Sequence, residues 1–225
     1  MRSKFENASL VEQILDAIRN SILAGELQPG AHIKIKEVAD QLGVSMIPVR
    51  EALARLLASR LVTIEANRGY FVASKPTVTQ FADFIDARVL FETSAVRAGF
   101  SNASKADIVQ LEKLNNKMRK ISKKRSVVVN VEWGSLNHQF HKILVGLTRN
   151  EFLVNLYEDL SLGSLQFQLY RSGNDSFPDF KRLIVEHDNI IESLEKRSLE
   201  DLIFNLTEHI KAIGLQHYDA ANSKH

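Results

Sequence analysis

The fold is decided by residues 43–57, which read Gly43-Val44-Ser45-Met46-Ile47-Pro48-Val49-Arg50-Glu51-Ala52-Leu53-Ala54-Arg55-Leu56-Leu57. After the glycine turn, the Ser45 hydroxyl can cap a helix by accepting a hydrogen bond from a backbone N–H group of its first turn. Pro48 falls within that turn, where its missing N–H costs little because those groups have no acceptor inside the helix. Beyond it, apolar residues line one face, at Val49, Leu53, Leu56 and Leu57. The stretch therefore predicts an amphipathic helix that begins beside a tight turn.

A shorter helix is predicted directly before the turn, over residues 35–42, with Val38, Ala39 and Leu42 facing inward. Two short helices joined by a tight turn that contains glycine form a helix-turn-helix, and the second helix of this motif can enter a DNA groove. An ordinary helical hairpin produces the same local pattern, so the flanking sequence must distinguish the two.

The flanking sequence favours a winged helix. Before the motif, apolar residues recur with helical spacing, at Leu10, Ile14, Ile18 and Ile22. After it, residues 65–68 join two predicted strands, which read Leu61-Val62-Thr63-Ile64 and Gly69-Tyr70-Phe71-Val72. Three helices and a two-stranded wing are therefore expected in residues 1–74, which we interpret as a winged helix-turn-helix DNA-binding domain.

Three pieces of this region form a specific pattern. They are Ile22 to Gly25 with Leu27-Gln28-Pro29-Gly30, Val44-Ser45-x-x-Pro48-Val49-Arg50-Glu51-Ala52-Leu53-x-Arg55-Leu56, and Arg68-Gly69-Tyr70-x-Val72. This pattern resembles the GntR family of bacterial transcription regulators. The resemblance implies a homodimer that binds a palindromic operator in double-stranded DNA. It places at the DNA the residues Lys36, Ser45, Met46, Pro48, Arg50, Arg55, Arg68 and Gly69.

The same resemblance suggests roles within that set. Arg50 would read a base, most simply guanine, while Lys36 and Arg55 would meet phosphates nearby. The wing tip at Arg68 would approach the minor groove. Met46 stands where the family usually carries arginine. The base contact made from that position, and the operator sequence there, are therefore expected to differ from those usual in the family.

The composition is that of a water-soluble globular protein of one or two domains, since 44% of its 225 residues are hydrophobic and 25% are charged. The net charge of +2 is too small to indicate nucleic-acid binding by itself, so any basic surface must be local. Cysteine is absent, which excludes disulfides and thiolate metal sites. Residues 1–7 lack the apolar run of a signal peptide, and no stretch is long enough to span a bilayer. We therefore expect a cytoplasmic protein with no membrane partner.

The second part of the chain predicts helices only. The polar residues of Ser74-Lys75-Pro76-Thr77, with their proline, indicate a linker at residues 75–78. From residue 79 to 222 the apolar spacing predicts six amphipathic helices, the fourth running from Phe152 through Leu169 to a stop near Gly173. Short connections between such helices favour an antiparallel bundle, so the fold class is mainly α. Together with the N-terminal sequence pattern, this all-helical region resembles the FadR subfamily of GntR regulators, whose C-terminal FCD-type effector domain is all-helical.

Four polar residues interrupt the apolar stripes of these helices, namely Asn137, His141, His187 and His209. A single histidine in such a place is usually a hydrogen-bonded core residue. Three histidines and an amide on three helices of one bundle also match the way bundles build metal sites from inward side chains. The spacing alone leaves both interpretations open.

One sequence motif resembles the metal-binding pattern of FadR-type C-terminal domains. It reads Asn137-x-x-Phe140-His141 and is followed by His187 and His209. Those domains hold a divalent metal with one aspartate and three histidines. Here Asn137 occupies the aspartate position and brings no charge, so metal affinity should fall. Three neutral imidazoles favour a transition metal, Zn or Ni first and Cu next, over Mg or Ca. The remaining histidines, which we predict to be surface residues, are His32, His138, His217 and His225.

Arg88 has two interpretations. It lies on an apolar stripe four residues before Glu92, which predicts a partly buried ion pair within one helix. By the family resemblance, an arginine at this place helps to hold an acidic metabolite near the metal, and a planar guanidinium suits a small carboxylate effector. The sequence supports the two equally.

Three functions are compatible with these features. The leading one is a metabolite-responsive DNA-binding transcription regulator, acting as a repressor. A metal-dependent hydrolase with an accessory winged helix is the alternative, but no carboxylate neighbours the predicted ligands in a recognisable arrangement, and Glu186 is predicted to point off the apolar stripe. A partner-binding helical protein is the third. The sequence favours a regulator and not an enzyme.

Overall fold

A computed structural model describes residues 9–58, 60–74, 77–124, 127–160 and 179–222, with side chains described up to Ala212 in the last range. The described residues form two compact units, one within residues 9–74 and one that begins at Thr77. The predicted linker core at residues 75 and 76 and the predicted helix from residue 161 to 173 lie outside the described residues. Among the described helices, none is both long and apolar enough to cross a lipid bilayer.

The N-terminal unit is a winged helix. Its elements are α1 (Leu10–Leu23), β1 (His32–Ile33), α2 (Ile35–Leu42), α3 (Met46–Ala58), β2 (Val62–Glu65) and β3 (Gly69–Val72). α1 begins at a capping box, in which Ser9 and Glu12 accept each other's backbone N–H groups. The core is formed where α1 packs on α3. It contains the buried side chains of Ile14, Ile18 and Ile22 from α1 and of Val49, Leu53 and Leu56 from α3.

In the winged helix, the stripe assignments are wrong at two helix ends. Leu10 and Leu42 were expected inside, but they are 52% and 40% exposed. A residue in the first or last turn of a helix has helix neighbours on one side only, so periodicity overstates its burial. The turn after α2 is as expected: Gly43 has φ 66°, and its N–H and that of Val44 close the helix onto Ala39 and Asp40. The left-handed backbone there favours glycine because a Cβ atom would be strained.

The wing has three strands, where two were expected. Strand order is β1-β3-β2 and both pairs are antiparallel. The additional strand β1 aligns His32 with Phe71 and Ile33 with Tyr70, while β2 aligns Val62 with Val72. Two residues are too few for an alternating pattern to reveal a strand, which explains why the sequence did not predict β1.

The second unit is a helical bundle. Its elements are α4 (Val78–Gly99), a 3₁₀ turn (Phe100–Asn102), α5 (Lys105–Ile121), α6 (Val127–Gly146), α7 (described over residues 151–160), α8 (Phe180–Glu195) and α9 (Leu199–Asn222). Capping boxes at Thr77 and Ser104 start α4 and α5, and the Asp179 carboxylate accepts the Arg182 N–H at the start of α8. α4 packs on α6 and α9, and α8 packs on α5 and α9. The mainly α fold with a small β-wing is confirmed.

Candidate functional site

Three histidines from three helices converge in the core of the bundle. His141 lies on α6, His187 on α8 and His209 on α9, and all three side chains are fully buried. The Nε2 atom of His209 is 3.2 Å from Nε2 of His141 and 3.1 Å from Nε2 of His187. One ligand atom from each ring lies within 4.8 Å of the others. We call these residues the histidine cluster.

The opposite nitrogen of each ring faces an oxygen. Nδ1 of His141 is 2.6 Å from Oε2 of Glu92, Nδ1 of His187 is 3.2 Å from Oδ1 of Asn115, and Nδ1 of His209 is 2.9 Å from Oε2 of Glu186. These oxygens accept, so each Nδ1 carries the proton and each Nε2 presents a lone pair. Proteins fix the rings of metal-binding histidines in this way.

Burial keeps the histidine cluster neutral. It lowers the pKa of His141 to about 4 and lowers the pKa of His187 well below its ordinary value. Burial also lowers the pKa of His209, although Glu186 opposes the shift. Three neutral rings that aim lone pairs at one point have no proton to share and are stabilised by a cation. Imidazole nitrogens that share one tetrahedral zinc ion at about 2.1 Å lie roughly 3.4 Å apart. The two distances from Nε2 of His209, 3.2 and 3.1 Å, are close to this value.

Two buried polar atoms near the cluster have no hydrogen-bond partner among the described residues. They are Oδ1 of Asn137 and Nε1 of Trp133. Trp133, Asn137 and His141 follow one another at four-residue intervals on α6 and so share a face. The Trp133 ring is parallel to that of His187, with centroids 6.0 Å apart. A buried oxygen without a donor is costly, so Asn137 fits a site that a cation completes.

Arg88 is one half of a buried ion pair on α4. Its Nε donates to Oε1 of Glu92 at 2.8 Å, and both side chains are at least nine-tenths buried. Burial alone would raise the pKa of Glu92, but Arg88 and His141 outweigh it and bring this pKa to about 2. Tyr157 lies beside Arg88, and burial raises the pKa of this phenol well above its ordinary value. Glu92 therefore links Arg88 to the histidine cluster.

The expectation that no carboxylate neighbours the predicted ligands is wrong. Glu92 comes from another helix, 49 residues before its histidine partner, so spacing along the sequence cannot reveal the contact. Glu186 was expected to point away from the core. Its Oε2 instead contacts His209 while Oε1 accepts from Arg182, because a long side chain at the edge of a stripe can curl inward.

Asn115 was also missed by the sequence reasoning. This buried α5 residue donates through Nδ2 to the Ile184 carbonyl at 3.1 Å and to Oδ1 of Asp188 at 2.7 Å. Both partners are acceptors, which fixes the amide so that Oδ1 faces His187. Nη2 of Arg119 contacts both oxygens of Asp188 at the surface. A polar chain therefore runs from the surface to the histidine cluster.

The other histidines differ from one another. His138 was predicted on the surface but is partly buried, with Nε2 2.8 Å from Oε2 of Glu158 and its ring stacked on Tyr157. It flanks the stripe that carries His141, and Tyr157 and Glu158 on α7 cover part of it. His32 is exposed and stacks on Phe71. The side chains of His217 and His225 lie outside the described residues.

The residues that the resemblance places at DNA lie mostly at the surface of the winged helix. Pro48 and Gly69 are half-buried, and the rest are exposed, namely Lys36, Ser45, Met46, Arg50, Arg55 and Arg68. Arg55 pairs with Glu51 at 2.7 Å, and Arg68 pairs with Glu65. Exposed pairs of this kind contribute at most about 1 kcal/mol, so phosphates can replace their carboxylates at little cost.

Comparison with known proteins matches both units. Residues 10–72 match the family described as bacterial regulatory proteins, gntR family, and residues 83–212 match the FCD domain. The Nta operon transcriptional regulator of Aminobacter aminovorans is 34% identical over 135 residues, which cover 60% of this chain and 61% of that protein. The HTH-type transcriptional repressor RspR of Escherichia coli is 25% identical over 203 residues, covering 90% and 86%.

Coverage and fold likeness vary among these proteins. E. coli McbR is 30% identical over 132 residues, which cover 57% of this chain and 58% of that protein. The matched part therefore spans about three fifths of McbR and of the Nta operon regulator. The solved structure of E. coli McbR/YncC has a TM-score of 0.71 at 23% identity, covering 96% of this chain and 100% of that one. At that identity the likeness concerns the fold.

Proposed function

The chain belongs to the GntR-type transcriptional regulators that carry an FCD domain, and on this premise we propose that it is a metabolite-responsive repressor. It would bind a palindromic operator as a homodimer in the cytoplasm, where a bacterial chromosome lies. Its bundle would hold a divalent transition metal and a small carboxylate effector. The observation that carries the proposal is the convergence of three Nε2 lone pairs in the bundle of a chain that also has a winged helix.

On the DNA side, α3 would enter the major groove with Arg50 at a guanine. Arginine forms two hydrogen bonds with the guanine edge there, which supports this role for an exposed arginine on the second helix of the motif. Lys36 and Arg55 would contact phosphates, and the wing tip at Arg68 and Gly69 would approach the minor groove. Two half-sites are needed because one recognition helix spans only a few base pairs.

In the bundle, the histidine cluster would provide three ligands and Asn137 a weaker fourth. Nitrogen ligands of this kind suit Zn or Ni better than Mg or Ca. When bound, the ion would supply a Lewis-acidic anchor for an effector carboxylate. This chain's own contribution is to hold each ring through Glu92, Asn115 and Glu186 and to keep the rings neutral.

The effector would also meet Arg88 and Trp133. Arg88 is the nearest buried cation whose contacts reach the cluster, through Glu92. Trp133 offers an indole N–H that has no acceptor among the described residues. A ligand that bridges α4 and α6 favours one packing of the bundle over another, and the linker at residues 74–77 would transmit the change to the winged helix. Couplings of this kind are typically about 1–3 kcal/mol.

The hydrolase alternative is set aside. Both carboxylates near the cluster accept from Nδ1 atoms, so they are held behind the rings and not beside an activated water. The matching families and relatives are regulators of transcription.

The test is elemental analysis and operator titration of three proteins. Wild type and the His138→Ala variant should purify with about one metal ion per chain, since His138 lies outside the cluster. The double variant His187→Ala, His209→Ala should carry none and lose the response to effector. Trp133 is the only tryptophan, so its fluorescence reports metal addition directly. A metal-free wild type whose effector response survives in the double variant would show that the histidines are core packing.

A further inference from the structure

Two large apolar side chains project into solvent at the first turn of α3. Met46 is 47% exposed and Ile47 is 76% exposed, and they are the first two residues of the helix. The buried face of α3 is elsewhere, at Val49, Leu53 and Leu56. We call Met46 and Ile47 the apolar tip. Its side chains contribute little to the core of the unit, so their role lies at the surface.

The position of the apolar tip restricts what it can meet. In a helix-turn-helix, the N-terminal residues of the second helix are those that reach base edges in the major groove. Arg50 follows Met46 by four residues and Ile47 by three, so the three side chains project from one side of α3. A pose that brings Arg50 to a base therefore brings the apolar tip to adjoining bases.

The chemistry of the apolar tip selects one feature of the groove. A thioether and a sec-butyl group offer no strong hydrogen-bond donor or acceptor. The thymine C5-methyl is the apolar group that a base pair presents in the major groove. We propose that Met46 and Ile47 are specificity-determining residues that select thymine through its methyl group. This inference rests on the proposed DNA-binding function.

The experiment starts from duplexes that wild type enriches from a random pool. Each thymine in the enriched site is then replaced by deoxyuridine, which pairs identically and lacks only the methyl group. At one or two positions in each half-site, affinity should fall about fourfold per methyl, the value of one buried CH₃. Positions outside the reach of the apolar tip should not respond.

Variants assign the effect to residues. Met46→Ala with Ile47→Ala should abolish the response to deoxyuridine at those positions and leave the guanine preference attributed to Arg50. Met46→Arg should enrich sites with guanine where wild type enriches thymine, because arginine recognises the guanine edge. Leu10→Ala is the matched control, since Leu10 is an exposed apolar residue of the same unit on α1. All are surface changes, and circular dichroism checks folding.

The outcomes are distinguishable. Wild-type binding that is indifferent to every thymine methyl would overturn the inference and leave the proposed function intact. An alanine double variant with unchanged sequence preference but an altered oligomeric state would overturn it too, and would identify the apolar tip as a protein contact. Failure to enrich any duplex would overturn the proposed function and the inference together.

Discussion

Asn137 differs from the histidine cluster beside it because its oxygen is buried, neutral and without a donor among the described residues. The negative charges of the site lie behind the rings instead, on Glu92 and Glu186. Such partners raise the basicity of the imidazoles and, in the proposed metal site, would partly offset a neutral fourth ligand. Metal affinity should therefore respond to one formal charge added at position 137.

Asn137→Asp should tighten metal binding on the order of tenfold, within the range by which groups around a metal site alter affinity. The carboxylate would add a charged oxygen to the ligand set, and without metal it would be a buried charge facing three neutral rings. Competition with a calibrated chelator measures the affinity, and Asn137→Ala is the control that removes the oxygen. Equal affinity for wild type and the aspartate variant would place Asn137 outside the ligand set.

Asn115→Ala should weaken metal binding by about 10–100-fold, because His187 loses the oxygen that fixes its ring. Asp188 and the Ile184 carbonyl lose their donor in the same change. Asn116→Ala is the matched control, since Asn116 is the exposed neighbour on α5. The same chelator competition serves as measurement. If both variants bind metal like wild type, His187 is oriented by packing alone, for example by Phe140, whose ring lies 4.1 Å away.

At the scale of elements, the start of α5 is held by one carboxylate. Asp107 accepts the Ser104 backbone N–H in the capping box and pairs with Arg149 at 2.6 Å. The hydrogen bond with Arg149 lowers the pKa of Asp107 to about 2, although burial opposes the shift. The ion pair thus joins the start of α5 to the loop after α6.

Asp107→Asn should destabilise the protein by about 1 kcal/mol at pH 6, a modest value because the exposed Arg149 is screened by solvent. A carboxyl with a depressed folded pKa contributes stability above its ordinary pKa of 3.8 and loses it as pH falls towards 2. The gap between wild type and variant in urea unfolding should therefore close between pH 4 and about 2. A gap that stayed constant over that interval would show that the Asp107 charge is not involved.

Gly99→Ala should cost about 1–3 kcal/mol of stability through overpacking. At Gly99 the end of α4 touches the backbone after α6, and an added Cβ would lie 2.4 Å from the Leu147 carbonyl carbon and the Thr148 nitrogen. Gly146→Ala is the matched control, because a Cβ there meets nothing within 4 Å. That control should be neutral or slightly stabilising in its helix. Equal melting temperatures for both variants would mean that the contact relaxes freely.

The elements were far more predictable than the contacts between them. Apolar periodicity is a local property, so α3 and the long helices of the bundle could be placed from sequence. The strand β1 could not, because two residues carry no period. The partners of the histidine cluster could not either, because Glu92 and Asn115 lie 49 and 72 residues from the rings they hold. Those distances are set by how helices pack, which no local pattern encodes.

At the scale of the whole molecule, charge is distributed and not concentrated. There are 29 lysines and arginines against 27 aspartates and glutamates, so long-range attraction to DNA is weak. Binding must then depend on particular cations that meet phosphates. Arg55 and Arg68 are suited to this because the weak surface pairs that hold them, with Glu51 and Glu65, can be exchanged.

Operator affinity should fall steeply with salt despite the small net charge, with a log–log slope of about −0.9 for each phosphate neutralised. Arg55→Ala removes one such contact from each subunit, so in a homodimer the slope should become less steep by about 2. Lys113→Ala is the control, because Lys113 is an exposed cation on α5 of the bundle that the proposed interface does not use. Both variants change the net charge equally, so a difference between their slopes reports contact and not overall attraction. Equal slopes for Arg55→Ala and wild type would remove Arg55 from the phosphate contacts.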